Sequence, residues 1–152
     1  MSETTPAPDF TLPATGGNNI TLSALRGSKV VLYFYPKDNT PGCTNETRDF
    51  RDLHAELVAA GCKVFGISRD GLKSHESFKA KLELPFELIS DPEEKACEAF
   101  GVMKMKNMYG KQVRGVERST FLIDAKGNIA QAWRGVKVPG HAAEVMSAAK
   151  SL

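Results

Sequence analysis

The stretch from Val30 to Arg51 limits what this chain can fold into more than any other. Val30 to Tyr35 is an unbroken run of β-branched, aliphatic and aromatic residues, too short for a helix, so it reads as a central strand. Pro36 stops it. Thr40 then supplies an N-cap, and Pro41 fits the first helical position, where its missing N–H costs nothing. Phe50, Leu53 and Leu57 fall three and four apart, so the helix beginning here has one apolar face, which Gly61 closes. A buried strand feeding a helix through a tight turn requires a sheet with helices packed on it. It also puts Cys43 in the first helical turn, at the edge of that sheet.

The remainder of the chain supplies the sheet. Pro6, Pro8 and Pro13 keep the N-terminal segment extended. Phe10 and Leu12 mark a short edge strand, with Asn18 to Leu22 as its hairpin partner through Gly16-Gly17, and Ser23 caps a single turn ending at Gly27. Cys62 to Ser68 is a second strand, Ser74 to Leu82 a helix with Phe78 and Leu82 inward, and Phe86 to Ser90 a third strand. Asp91-Pro92 opens a short helix to Phe100. Met103 to Gly115 is polar and shows no clean period, so a loop is expected there. Ser119 to Asp124 and Ile129 to Arg134 form a hairpin about the turn at 125–128, and Pro139 to Leu152 closes as a helix. No repeat or linker divides residues 1–152, so one domain is expected. Its class is α/β, with a mixed central sheet, helices on both faces and an N-terminal β-hairpin extension: a thioredoxin-like architecture.

Composition narrows the function mainly by exclusion. A hydrophobic content of 41% over 152 residues suits one globular core, and a net charge of +2 without any basic block gives no sign of nucleic acid or membrane partners. No run of 18 apolar residues occurs, and the first nine residues lack the basic-then-apolar pattern of an export signal. Three scattered cysteines, 43, 62 and 97, do not make a disulfide framework, so the reducing cytoplasm is the expected compartment. His54, His75 and His141 stand isolated, without ligand spacing to the cysteines, so neither a metal nor a cofactor is expected; His54 reads as a surface residue.

Cys43 has the setting of a working thiol. An ordinary cysteine is only about 3% thiolate at pH 7, and lowering its pKa to about 6 requires roughly 3.4 kcal/mol. A helix N-terminus supplies about 0.3–1 kcal/mol, or ~2 when partly buried, so a cation and direct hydrogen bonds must supply the rest. Asp38 and Glu46 are expected to oppose them. The polar turn Asn39-Thr40-Pro41-Gly42 argues for an accessible sulfur, since inert cysteines lie in apolar runs. Full ionisation gains only about thirtyfold, so donors must also stabilise charge on a leaving group. The Thr40 hydroxyl and the N–H groups of Gly42 and Cys43 can reach the same small volume, and Pro36 can shield it.

Pro36-x-x-x-Thr40-x-x-Cys43 resembles the peroxiredoxin active-site motif. The surrounding Tyr-Phe-Tyr-Pro-Lys-Asp-x-Thr-Pro-Gly-Cys-Thr-x-Glu is similar to the bacterioferritin-comigratory, or Q-type, subfamily. Ala-Pro-Asp-Phe-Thr-Leu at 7–12, Gly-Ile-Ser at 66–68, Ser-Asp at 90–91, Phe-Gly-Val at 100–102 and Arg-Ser-Thr-Phe-Leu-Ile-Asp at 118–124 extend the resemblance over nearly the whole chain. The resemblance implies a thiol peroxidase acting on hydrogen peroxide and organic hydroperoxides. In it Cys43 is the peroxidatic cysteine, Thr40 binds peroxide and Pro36 shields the pocket. Arg118 is the cation beside the sulfur, and Glu46 positions that arginine. Q-type relatives are often monomers, and a monomer is expected.

One departure from the subfamily matters. Arg48 and Lys79 occupy the positions where such proteins carry a resolving cysteine. Cys62 lies about 26 Å from Cys43 along the helix, too far for a disulfide. Cys97, among Ala96, Ala99 and Phe100, reads as a core residue. A one-cysteine cycle is therefore expected, with the sulfenic acid reduced by an external thiol such as thioredoxin, glutaredoxin or glutathione. The alternatives are a Cys43–Cys97 bridge, or a non-enzymatic holdase on the same scaffold. A dithiol oxidoreductase is disfavoured because Thr40 stands where C-x-x-C would place its first cysteine.

Overall fold

The computed structural model describes residues 5–152; residues 1–4 of the expected domain lie outside the described residues. The strands are β1 Thr5–Pro6, β2 Thr11–Pro13, β3 Asn19–Thr21, β4 Lys29–Phe34, β5 Cys62–Ser68, β6 Glu87–Ser90, β7 Met103–Met108, β8 Lys111–Val116, β9 Ser119–Ile123 and β10 Asn128–Arg134. The helices are α1 Pro41–Ala59, α2 Leu72–Leu82, α3 Lys95–Ala99 and α4 His141–Ser151. Six strands form a mixed sheet in the order β1-β10-β9-β4-β5-β6, with β4, β5 and β6 parallel and the others antiparallel to their neighbours.

Strand alternation divides the core in two. Leu32 and Phe34 of β4 face one cluster, which holds Phe10, Leu12, Ala96, Cys97, Phe100 and Phe121. Tyr33 and Tyr35 face the other, which holds Cys43, Phe50, Leu57, Phe78, Leu82 and Val145. So α1, α2 and α4 cover one face, while α3 and the β2–β3 hairpin cover the opposite one. Helices lie on both faces as expected, though unequally. Gly66 of β5 admits no side chain, because a Cβ there would lie 2.7 Å from the Tyr33 ring.

Three local expectations are corrected. Met103 to Gly115 is not a loop: β7 and β8 form an antiparallel hairpin, with Met103 opposite Val116 and Met108 opposite Lys111. Tyr109 and Gly110 make its turn, both at positive φ (53° and 78°), as a tight hairpin turn requires. The helix expected from Asp91 starts only at Lys95. Residues 91–94 form a turn, and the Asp91 carboxylate reaches across it to accept from the N–H groups of Lys95 and Cys97. Ser23 lies inside the 3-10 turn Leu22–Leu25 rather than before it; Thr21 holds the N-cap position, and the Ser23 N–H donates to Asp9.

Candidate active site

Topology brings the expected residues to one edge of the sheet. β4 ends at Phe34, residues 36–40 turn, and α1 begins at Pro41 with Cys43 in its first turn. β9 runs antiparallel to β4 with Ser119 opposite Phe34, which places Arg118 beside the end of β4. Seventy-five residues of sequence thus close to one contact: Arg118 Nη2 lies 3.4 Å from Cys43 Sγ. Its other terminal nitrogen, Nη1, donates to Glu46 Oε1 at 2.8 Å, one helical turn beyond the cysteine. A planar guanidinium suits this two-ended task, since its donors point along fixed directions. Burial works against the charge on Arg118, but Glu46 and Cys43 outweigh it and hold its pKa above the ordinary arginine value.

Glu46 is almost completely enclosed. Burial pushes its carboxyl up to about 7 despite the pull of Arg118, and its Oε2 has no hydrogen-bond partner among the described residues. Cys43 is also enclosed, at 1% exposure, in the apolar cluster with Tyr33 and Tyr35. That corrects the expectation of an accessible thiol: its polar neighbours in sequence line the turn, while its own side chain points inward from the helix. Thr40 occupies the N-cap position with an extended backbone (φ −88°, ψ 152°), yet its side chain caps nothing. Its hydroxyl instead donates to Lys37 O at 2.8 Å, leaving the oxygen able to accept. Thr44 N–H bonds Thr40 O at 2.9 Å, so the N–H groups of Gly42 and Cys43 belong to the first turn, where a helix leaves its donors without helical partners. Pro36 is half-buried at the start of the turn.

A model of the AhpC/TSA family matches residues 4–132. The chain belongs to the AhpC/TSA family. Among curated members, Peroxiredoxin Bcp of Xanthomonas campestris is 54% identical over 148 residues, covering 96% of this chain and 92% of the relative. Peroxiredoxin Bcp of Bacillus subtilis is 47% identical over 146 residues, covering 96% and 93%. The solved structure of Xanthomonas campestris Peroxiredoxin Q superposes with a TM-score of 0.90 at 54% identity, over 93% of this chain and 90% of that one. This peroxiredoxin is thus a thiol-dependent peroxidase with a thioredoxin-like fold.

Within this peroxiredoxin the other two cysteines lie away from the site. Cys62 starts β5 beyond the far end of α1. Cys97 belongs to the opposite face of the sheet from Cys43. Burial, and then the Asp91 charge, push the Cys97 thiol far up. Lys79 is paired with Glu87, and Arg48 is exposed on α1.

Sequence reasoning missed two features of the surroundings. Lys106 of β7 donates to Val116 O at 2.6 Å, two residues before Arg118. Burial and then the Arg118 charge push its ammonium below the ordinary lysine value. Nothing in the apparent loop at 103–115 marked it. The second feature is His75, which is not isolated: it is fully buried against Asp38, with Asp70 close by. These three offer ligand atoms within 4.8 Å of one another, but those atoms are engaged in hydrogen bonds with each other and with Tyr35, Ser68, Ser74 and Ile89 O. The Asp38 carboxylate is thus tied to Tyr35, Ser74 and His75. His54 is not a free surface residue either; it is half-buried with its ring 5.7 Å from that of Phe86.

Proposed function

We propose that Cys43 is the residue through which this chain reduces hydroperoxides, assisted by Arg118, Thr40, Pro36 and Glu46. The observation that carries this reading is the Arg118 fork, 2.8 Å from Glu46 on one arm and 3.4 Å from the Cys43 sulfur on the other. The thiolate is the nucleophile in such chemistry, and the guanidinium charge faces it. The thiolate sulfur attacks the O–H oxygen of the peroxide and keeps that hydrogen as S–OH, while the O–O pair departs on the other oxygen as alkoxide or hydroxide, which takes a proton from water. Cys43 becomes a sulfenic acid. Arg118 and the first-turn N–H groups supply donors where that negative charge develops. The Thr40 oxygen, its own hydrogen committed to Lys37 O, accepts from the peroxide O–H. Pro36 covers one side of the turn, and Glu46 fixes the guanidinium in place.

The cycle closes through an external thiol. One thiol condenses with the sulfenic acid, releasing water and forming a mixed disulfide; a second thiol releases Cys43 and leaves as disulfide. Thioredoxin, glutaredoxin and glutathione are the candidate reductants, and the free cysteines fit a reducing cytoplasm. The working unit is a monomer comprising a single domain over residues 1–152. The structure of Xanthomonas campestris bacterioferritin comigratory protein, described with alkyl peroxide reduction, superposes at a TM-score of 0.90 and 53% identity, which supports organic hydroperoxides as substrates.

Steady-state turnover of Cys43→Ser and Arg118→Met with each reductant tests the assignment. Cys43→Ser is expected to abolish turnover, and Arg118→Met to lower kcat/KM for peroxide by roughly 10²–10³. Turnover surviving in Cys43→Ser would remove the cysteine from its role, whereas a holdase, whose binding needs no thiol, would keep its client binding undiminished in that variant.

A further inference from the structure

The turn that carries Pro36 and Thr40 has little regular structure of its own, and Asn39 within it is left-handed (φ 63°). It is held by Asp38, whose carboxylate accepts from Tyr35 OH at 2.6 Å, from Ser74 Oγ at 2.8 Å and from His75 Nδ1 at 2.7 Å. The Asp38 backbone N–H donates to Asp70 Oδ2 at 2.9 Å, and that oxygen also receives Ser68 Oγ at 2.6 Å. The other His75 nitrogen, Nε2, lies 3.0 Å from Ile89 O. Ser68 Oγ is 3.4 Å from the same nitrogen but gives its hydrogen to Asp70, so it offers the ring none.

Each His75 nitrogen therefore faces an oxygen whose role is to accept, a carboxylate on one side and a carbonyl on the other. The arrangement is fully satisfied when both nitrogens donate. A ring so held links three elements: α2 through its own backbone, β6 through Ile89 O, and the 36–40 turn through Asp38. Burial pushes the Asp38 carboxyl up, but the bonds from His75 and Tyr35 outweigh it and hold it below the ordinary carboxylate value. A buried charge with every partner in place is costly to disturb, and its geometry is correspondingly fixed.

We propose that His75, acting through Asp38, is a positioning residue for peroxide capture: the pair sets the turn that aims Thr40 and Pro36 at Cys43. The proposal rests on the reading that Thr40 and Cys43 form the peroxide site. His75 touches no reacting atom. Arg118 reaches the sulfur from the residue just before β9 and is held there by Glu46 of α1, and neither bonds to the pair. Removing His75 thus loosens one wall of the site and leaves the cation in place.

The two half-reactions separate this role from a general structural one. Thr40 is needed to capture peroxide, whereas the reducing thiol attacks a sulfenic acid that already exists. His75→Phe keeps the ring and removes both donors, and His75→Gln restores an N–H donor. In His75→Phe, kcat/KM for peroxide is expected to fall roughly 10²-fold, the cost of about 1 Å of misplacement. Meanwhile kcat/KM for the thiol reductant should stay within about twofold, and His75→Gln should recover most of the peroxide loss, as expected when a donor to a buried carboxylate is restored. Equal losses in both half-reactions, or no loss in either, would overturn the proposal. If His75→Phe fails to fold, Asp38→Asn, read with the same two constants, must show the same one-sided loss. Unchanged peroxide capture in Thr40→Val would instead overturn the reading of the peroxide site itself.

Discussion

At the residue scale the site is governed by how few groups share one small volume. Arg118 serves two partners with one planar fork, and Glu46 serves only Arg118. The glutamate is the more telling of the two, because its carboxyl titrates at about 7 against an ordinary 4.5. Between those values the folded protein holds a proton that the unfolded chain has released. Its contribution to stability is therefore complete below pH 4.5 and is lost as the pH rises through 7, a change of about 3 kcal/mol. Glu46→Gln imitates the protonated acid at every pH. Denaturant unfolding of both proteins from pH 5 to 8 is expected to show the wild type losing stability relative to Glu46→Gln as the pH rises. A constant difference would mean that the carboxyl titrates outside this range. The same titration brings full negative charge against Arg118 only above neutrality, so the guanidinium faces the sulfur least compensated on the acid side.

At the element scale, the first turn of α1 and the residue before β9 are packed so closely that a side chain between them would crowd the guanidinium. A Cβ on Gly42 would lie 3.1 Å from Arg118 Nη2, and the guanidinium is already tied to Glu46 and Cys43. Gly42→Ala should therefore displace Arg118 by a few tenths of an ångström. Alanine favours the helix by up to about 1 kcal/mol, so stability is expected to hold or rise. The rate of peroxide capture should fall roughly tenfold. Urea midpoints and kcat/KM measured on one preparation would show this opposition, and a parallel loss of both would contradict it. What the sequence revealed follows the same logic of periods and ends. β4, β5, β9 and α1 were legible because each carries a clean apolar run or face with a stop signal. The β7–β8 hairpin was not, because Met105 and Val113 remain exposed while Lys106 turns inward, which inverts the usual pattern; its turn also uses Tyr109 where asparagine or glycine would announce it. Arg118 was legible only through its motif, since nothing local to Glu117-Arg118-Ser119 marks a residue whose partners lie 72 and 75 positions away. The His75–Asp38 pair was invisible for the same reason, at a separation of 37.

At the scale of the whole molecule, the sheet itself decides how the cycle must close. Cys43 packs with Tyr33 and Tyr35 on one face, and Cys97 with Leu32 and Phe34 on the other. The strand layer stands between them, whereas a disulfide needs Cα atoms within about 7 Å. Bridging them would require taking apart β4 and its neighbours, the best-buried strands of the fold. The Cys97 thiol is a poor attacker as well, since burial and then Asp91 keep it protonated. Cys62 would require most of α1 to unwind. One equivalent of peroxide should therefore leave a protein heavier by one oxygen at Cys43, with no internal disulfide; intact-mass and peptide mass spectrometry after trapping of the sulfenic acid reads this directly. A loss of two hydrogens mapping to Cys43 and Cys97 would mean that the sheet opens during turnover. Without an internal thiol to intercept it, the sulfenic acid persists until an external one arrives. Excess peroxide in the absence of reductant should then carry Cys43 on to sulfinic acid, and adding the thiol at increasing concentration should suppress that product in proportion to how quickly it reaches the buried sulfur.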